Sequence, residues 1–329
     1  MRVCRPDLQA LQALYVEQGN VNEYLAYTKS LAKMNMTVST QEDSLLYAAA
    51  EMQYMQASYQ KAAASLNNYI TQFCAGGRYC TSARYYLADS YYRLGKTSDA
   101  LGHYIILAET AANPYQEEAA TRVAEICYDK GDYACALDGF YKMHALASSR
   151  ENATVARLGI LRCNQALARH QATIDIAEQI LSDTPVSEDT RKEALYGRAK
   201  AYVALGQWAK AQPDLQLLSA EVRTAQGAEA KYLLAESFYA AKDLDAAEVE
   251  IMEFTKMNTQ QQYWLARALI LLSDINRDRG EYFQARQYLL VLQQNYTAKD
   301  DIQTLIGKRL AALDELEKPV KKEVDDEKE

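Results

Sequence analysis

Apolar positions along the chain recur at i, i+3, i+4 and i+7, the spacing of one helix face. Leu87, Ala88, Tyr91 and Leu94 form one such stripe, and Val123, Ala124 and Cys127 form another. A second stripe follows each after a short turn: Ala100, Tyr104 and Leu107, then Ala136, Phe140 and Met143. The turns carry Gly19, Gly95, Gly131, Gly206 or Gly280, where a helix end needs a left-handed residue. Ser39-Thr-Gln-Glu42 has capping-box form, and Asn113-Pro114 offers an N-cap followed by proline at the first helical position. No stretch alternates with period two for long enough to make a strand. The pattern predicts helical hairpins and no sheet.

The hairpins repeat. Ala83–Ala100 aligns with Ala194–Ala211, placing Tyr91 on Tyr202, Leu94-Gly95 on Leu205-Gly206 and Ala100 on Ala211. The same alanine returns as Ala62, Ala100, Ala136, Ala211, Ala247 and Ala285, with Tyr24 and Thr173 filling the remaining slots. The spacings are 38, 38, 36, 37, 38, 36 and 38. A repeat array is expected over 6–297. Beyond it, Ile302, Leu305, Ile306, Leu310, Leu313 and Leu316 make a one-sided stripe, so 300–317 reads as a helix capping the last repeat. Pro319 ends it, and the charged segment 318–329 is expected to be disordered.

The spacing of small and aromatic residues resembles the tetratricopeptide repeat (TPR). That repeat wants a small residue in the first helix (A), an aromatic three later, a small residue opening the second helix (B) and a large apolar one four later. Ala88, Tyr91, Ala100 and Tyr104 meet those demands. The small residues let two helix axes approach closely. The resemblance implies an all-α fold, a right-handed α-α superhelix of about eight helical-hairpin repeats with a C-terminal capping helix. The period exceeds the common 34 residues, which points to longer connections between units. The array looks most like the C-terminal part of long Bacteroidetes-type TPR proteins, which are typically exported. A cytoplasmic location is therefore expected if Met1 is the true start, and an exported or periplasmic one if the chain is a fragment.

The resemblance also implies a site. Take the alanine opening helix B as position 20. The family's groove contacts then fall at positions 5, 9 and 12 of helix A. Position 5 is Tyr47, Tyr85, Tyr196 and Tyr232; position 12 is Tyr54, Tyr92, Tyr128 and Tyr239. Position 9 is Glu51, Asp89, Glu125 and Glu236, interrupted by Arg162 and Lys200. The family's carboxylate clamp needs Lys and Asn, and the pairing is missing here. A Tyr-lined, partly acidic groove suits an extended peptide of basic or aromatic character. The competing reading is that the tyrosines pack between neighbouring A helices.

Composition sharpens the picture. With 13 Gly and 5 Pro in 329 residues, a turn-rich β fold is disfavoured. The 25 Tyr against 5 Phe and 2 Trp mean the fold repeatedly uses a ring with a polar tip. A net charge of −8 repels a phosphate backbone, so no nucleic-acid partner is expected. The longest apolar run, Ala268–Leu272, is far short of the ~20 residues of a membrane span.

Catalytic chemistry has little to stand on. His103, His144 and His170 lack metal-ligand spacing, and no phosphate-loop, zinc-protease or nucleophile-elbow motif occurs. Gly76-Gly77 follows no strand. No metal, cofactor or enzymatic activity is expected. Among six cysteines there is no C-x-x-C. Cys127 reads as a small buried hydrophobe, and Cys74 and Cys80 flank a short loop as a bridge or as two free thiols. The expected function is a non-enzymatic scaffold for protein or peptide binding. The alternative is a regulatory or targeting segment of a larger protein whose catalytic domain lies elsewhere.

Overall fold

The computed structural model describes residues 8–33, 42–75 and 78–317. Among these, the secondary structure is helical throughout, without strands. The chain divides into two compact units, Met1–Leu167 and Ala168–Glu329.

Unit 1 stacks α1 (Leu8–Glu17), α2 (Val21–Lys33), α3 (Glu42–Met55), α4 (Tyr59–Phe73), α5 (Cys80–Arg93), α6 (Thr97–Glu109), α7 (Gln116–Asp129), α8 (Tyr133–Leu146) and α9 (Arg150–Ala166). Unit 2 holds α10 (His170–Ser182), α11 (Glu188–Ala204), α12 (Trp208–Leu218), α13 (Ala225–Ala240), α14 (Leu244–Lys256), α15 (Gln262–Asp278), α16 (Tyr282–Asn295) and α17 (Ile302–Leu316). Odd-numbered helices up to α15 are the A helices, and even-numbered ones the B helices. Within each unit, successive helices pack against one another. The fold is the all-α repeat of stacked helical hairpins that the periodicity predicts. The last helix, α17, lies on α15 and α16 and buries Ile302, Ile306 and Leu313.

The alanines opening the B helices are the tightest points. Ala62, Ala100, Ala136, Ala211, Ala247 and Ala285 are fully buried, and Thr173 and Tyr24 occupy the same slot almost as completely. Close approach goes further in the α7–α8 hairpin. A Cβ on Gly139 would lie 2.7 Å from the backbone nitrogen of Ala124, so only glycine fits there.

The turns fix the register of all eight hairpins. A residue with positive φ lies at position 15, five before the B-helix opening: Gly19, Ala57, Gly95, Gly131, Ala168, Gly206, Lys242 and Gly280. Most form the double hydrogen bond of a Schellman end, as Gly95 N to Tyr92 O and Lys96 N to Tyr91 O, both at 2.9 Å. Ala57, Ala168 and Lys242 hold this geometry at a cost of roughly 1–2 kcal/mol each.

One of the two start signals turns out differently. Helix α7 begins at Gln116 with Tyr115 as N-cap, not at Pro114. Asn113 spends its amide on the preceding helix, donating to the carbonyls of Leu107 at 2.9 Å and Thr110 at 2.6 Å. Its Oδ1 accepts from the Tyr115 N–H at 2.9 Å. The Ser39 box, Gly76-Gly77 and the 318–329 tail lie outside the described residues.

Candidate partner-binding face

The tyrosines at positions 5 and 12 project from the A helices, and most of their hydroxyls are already engaged. In unit 1, Tyr47 is 7% exposed and donates to Glu51 Oε1 at 2.8 Å. Its ring stacks on Tyr79 with centroids 4.5 Å apart. Tyr85 stacks on Tyr115 at 4.1 Å, and its hydroxyl bonds to Glu118. In unit 2, Tyr196 donates to Glu229 Oε2 at 2.5 Å, and Lys200 bonds the same carboxylate. Tyr232 donates to Glu236 Oε1 at 3.0 Å, accepts from Arg267 at 3.1 Å and stacks on Trp264 at 5.7 Å.

A single rule unites these contacts. The position-5 tyrosine meets position 2 of the next hairpin: Ser82, Glu118, Glu229 and Arg267. Where an aromatic lies three residues before that position, the rings stack: Tyr79, Tyr115 and Trp264. These partners are the neighbours of the candidate site that the sequence pattern did not name. Their signal is a recurrence 21 residues before the opening alanine.

Position 12 behaves similarly. Tyr54 donates to Asp89 Oδ2 at 2.6 Å, and Tyr239 donates to Asp278 Oδ2 at 2.7 Å. Tyr92 lies under the Arg122 guanidinium at 4.8 Å, and Arg122 pairs with Glu125 at 2.8 Å. Tyr128 meets Tyr133 and Phe140 edge-on. Asp89, read from sequence as a groove acid, is 2% exposed and receives Tyr54, Arg93 and Tyr104. It is an internal acceptor.

Burial, reinforced by the neighbouring carboxylates, pushes the phenols of Tyr47, Tyr54, Tyr85 and Tyr196 far above their ordinary value. Tyr239 rises to about 12 for the same reasons. All stay neutral donors. Burial also raises Glu236, against the opposing pull of Tyr232 and the Arg267 and Lys200 charges.

Two cavities open beside these residues, one in each unit. The first, about 650 Å³, lies among α1, α3 and the start of α5 and is lined by Val16, Leu45, Tyr47, Glu51, Met52 and Tyr79. The second, about 160 Å³, lies among α13, α15 and α17 and includes Tyr232, Glu236, Tyr239, Arg267, Asp274 and Arg309. A third cavity of about 370 Å³, at α11, α12 and α13, carries Glu188, Glu193 and Glu221 but no groove-register residue. Among the described residues, no group of three His, Cys, Asp or Glu is placed to hold a metal. No helix among them is long and apolar enough to cross a membrane.

Cys74 and Cys80 are disulfide-bonded, with Cα atoms 5.4 Å apart. Cys127 is bonded to Cys135, which corrects its reading as a buried hydrophobe. The side chain is buried, but the turn brings the end of α7 back onto the start of α8. Burial pushes the free Cys163 thiol up to about 11.

A sequence model of the tetratricopeptide repeat matches residues 82–113 and 193–221. These are the α5–α6 and α11–α12 hairpins, one in each unit. The chain carries tetratricopeptide repeats. Such repeats generally serve as non-catalytic scaffolds for protein–protein interaction. No curated protein matches the chain. Among solved structures, it is similar to a tetratricopeptide repeat protein from Parabacteroides merdae ATCC 43184. Identity is 19%, covering 80% of this chain and 98% of that one, with a TM-score of 0.34. It is similar to pilF of Pseudomonas aeruginosa at 15% identity, covering 70% and 97%, with a TM-score of 0.45. A putative kinesin light chain of Podosopora anserina with TPR-like repeats is 17% identical, covering 54% and 95%, with a TM-score of 0.38.

Proposed function

We propose that this TPR chain is a non-enzymatic scaffold that holds an extended peptide or protein segment along the face made by the A helices within a unit. One observation carries the reading. Cavities in both units are lined by the same register of residues, a position-5 tyrosine and a position-9 glutamate: Tyr47 with Glu51, and Tyr232 with Glu236. The fully engaged tyrosines form the floor of the face. Its contact groups in unit 1 are the half-exposed Tyr92, Glu125 and Tyr128. Acid beside aromatic favours partners with basic or aromatic side chains.

Selection of random displayed peptides against the whole chain tests this. Enrichment of basic and aromatic residues is expected, with binding weakened about tenfold by Tyr92→Ala or Tyr128→Ala at a nearly unchanged melting temperature. Tyr85 is a poor probe, because its loss also removes the Tyr115 stack and the Glu118 bond. Failure to recover any binding peptide overturns the scaffold reading. Selected peptides that bind every variant equally overturn this face.

A further inference from the structure

The two cavities share a position-5 tyrosine and a position-9 glutamate but open on different sides of them, toward α1 in unit 1 and toward α15 and α17 in unit 2. In unit 2, position 2 is Arg267. Its guanidinium lies 5.2 Å from the Tyr232 ring centroid, donates to that phenol at 3.1 Å and shares the cavity with Glu236. The chain thus places its own cations, Arg267 and Arg309, in the cavity with Tyr232 and Glu236. In unit 1, position 2 is Ser82, whose hydroxyl reaches the Tyr47 phenol from the same side. Ser82 does not line the unit 1 cavity; Tyr47, stacked on Tyr79, does, as does Glu51, which accepts the hydroxyls of Tyr47 and Tyr86. Glu51 has no ion pair among the described residues, and the cavity is about 650 Å³ against about 160 Å³. Arg78 lies over Tyr79 at 5.8 Å but does not line the cavity.

We propose that the unit 1 cavity takes one arginine side chain of a bound peptide, its guanidinium against Tyr47 and Tyr79 and paired to Glu51. This rests on the scaffold reading and names the anchor of the partner. An apolar occupant would strip water from the Glu51 carboxylate and return nothing. A planar guanidinium both stacks on a phenol and bonds a carboxylate, as Arg267 stacks on Tyr232 beside Glu236. An ammonium can also lie over a tyrosine ring, as Lys242 does over Tyr239 at 5.6 Å, but it lacks the flat fork that stacks on the ring while bonding both carboxylate oxygens.

The test titrates the full chain by calorimetry with blocked pentapeptides carrying one central arginine, lysine, citrulline or phenylalanine among alanines. Saturable binding of the arginine peptide is expected with a Kd on the order of 1 mM. The lysine, citrulline and phenylalanine peptides should bind at least about tenfold more weakly. Ser82→Arg, which sets a competing cation against the Tyr47 phenol, should weaken binding about tenfold. Glu51→Gln should weaken it about tenfold. If Ser82→Arg disturbs folding, seen by circular dichroism, Glu51→Gln decides. No arginine-peptide binding, equal binding of lysine, citrulline or phenylalanine, or unchanged binding in Glu51→Gln overturns the proposal. Display-selected peptides that still bind Glu51→Gln and Ser82→Arg fully would leave the scaffold standing and remove only this anchor. If no peptide binds at all, both fall.

Discussion

Units 1 and 2 repeat the same hairpin, yet they are tied together by different chemistry. Unit 1 contains both disulfides, Cys74–Cys80 across an inter-hairpin loop and Cys127–Cys135 across an A–B turn. Its ion pairs between helices, such as Lys29–Glu42 and Lys142–Glu109, are exposed. Unit 2 contains no cysteine and is laced by arginine and lysine. Arg198 makes two 2.8 Å bonds to Asp214, and Lys231 reaches Glu250 and Glu253. Arg277 and Arg309 converge on Asp274, and Arg279 holds Asp245 and Glu248. One unit is held by covalent links between near neighbours in sequence. The other is held by charge between helices further apart. Unit 1 is thus expected to be the more sensitive to redox conditions and unit 2 to ionic conditions.

Reduction should break this symmetry most strongly. Each bridge closes a short loop, and losing one should cost roughly 2–3 kcal/mol. Amide hydrogen exchange on the full chain, with and without a phosphine reductant, should show α4, α5, α7 and α8 opening more easily while α13 to α16 are unmoved. An equal loosening of both units would refute the division. Next comes Lys231→Met, which leaves Glu250 half-buried without its cation and should cost about 2 kcal/mol in unit 2 alone. Molar salt should weaken unit 2 more than unit 1 in the same measurement.

A smaller effect should be common to both halves. Ala57→Gly in unit 1 and Lys242→Gly in unit 2 relieve the same left-handed position, each stabilising by about 0.5–1 kcal/mol. Unequal gains would mean the turns are not equivalent.

The last effect has opposite signs in the two units. Burial and the Arg84 charge hold His103 below its ordinary 6.5, against Asp99. Its contribution is present above that value and lost as pH falls through the lower folded value. Burial raises Glu236 above its ordinary 4.5, so its contribution is present below that value and lost as pH rises through the folded one. Mild acidification should loosen α6 and spare or tighten α13. His103→Gln should abolish the first change, and Glu236→Gln the second.

The hairpins were legible because alanine burial and helical period are written directly in residue type. The left-handed turns were legible only where glycine marks them. Ala57, Ala168 and Lys242 adopt the same φ because the flanking helices impose it, and nothing in those side chains announces it. Asn113 was misread because an asparagine before proline serves a helix end as readily as a helix start. For the candidate site, the tyrosine register could be drawn from one sequence. The partners at position 2 could not, because they belong to the next hairpin and vary from Ser82 to Glu118 to Arg267. Cys127–Cys135 escaped notice because an apolar stripe and a half-bridge look alike until the turn between them is known.

The stacking of Trp264 on Tyr232 has a spectroscopic consequence. Trp208 and Trp264, the two indoles of the chain, both belong to unit 2. Excitation at the red edge, where tyrosine hardly absorbs, therefore interrogates unit 2 and is blind to unit 1. A conventional fluorescence melt would report one half of this molecule as though it were the whole. Far-ultraviolet dichroism, which weighs every helix, would register the other, and the gap between the two curves would measure how independently the halves unfold.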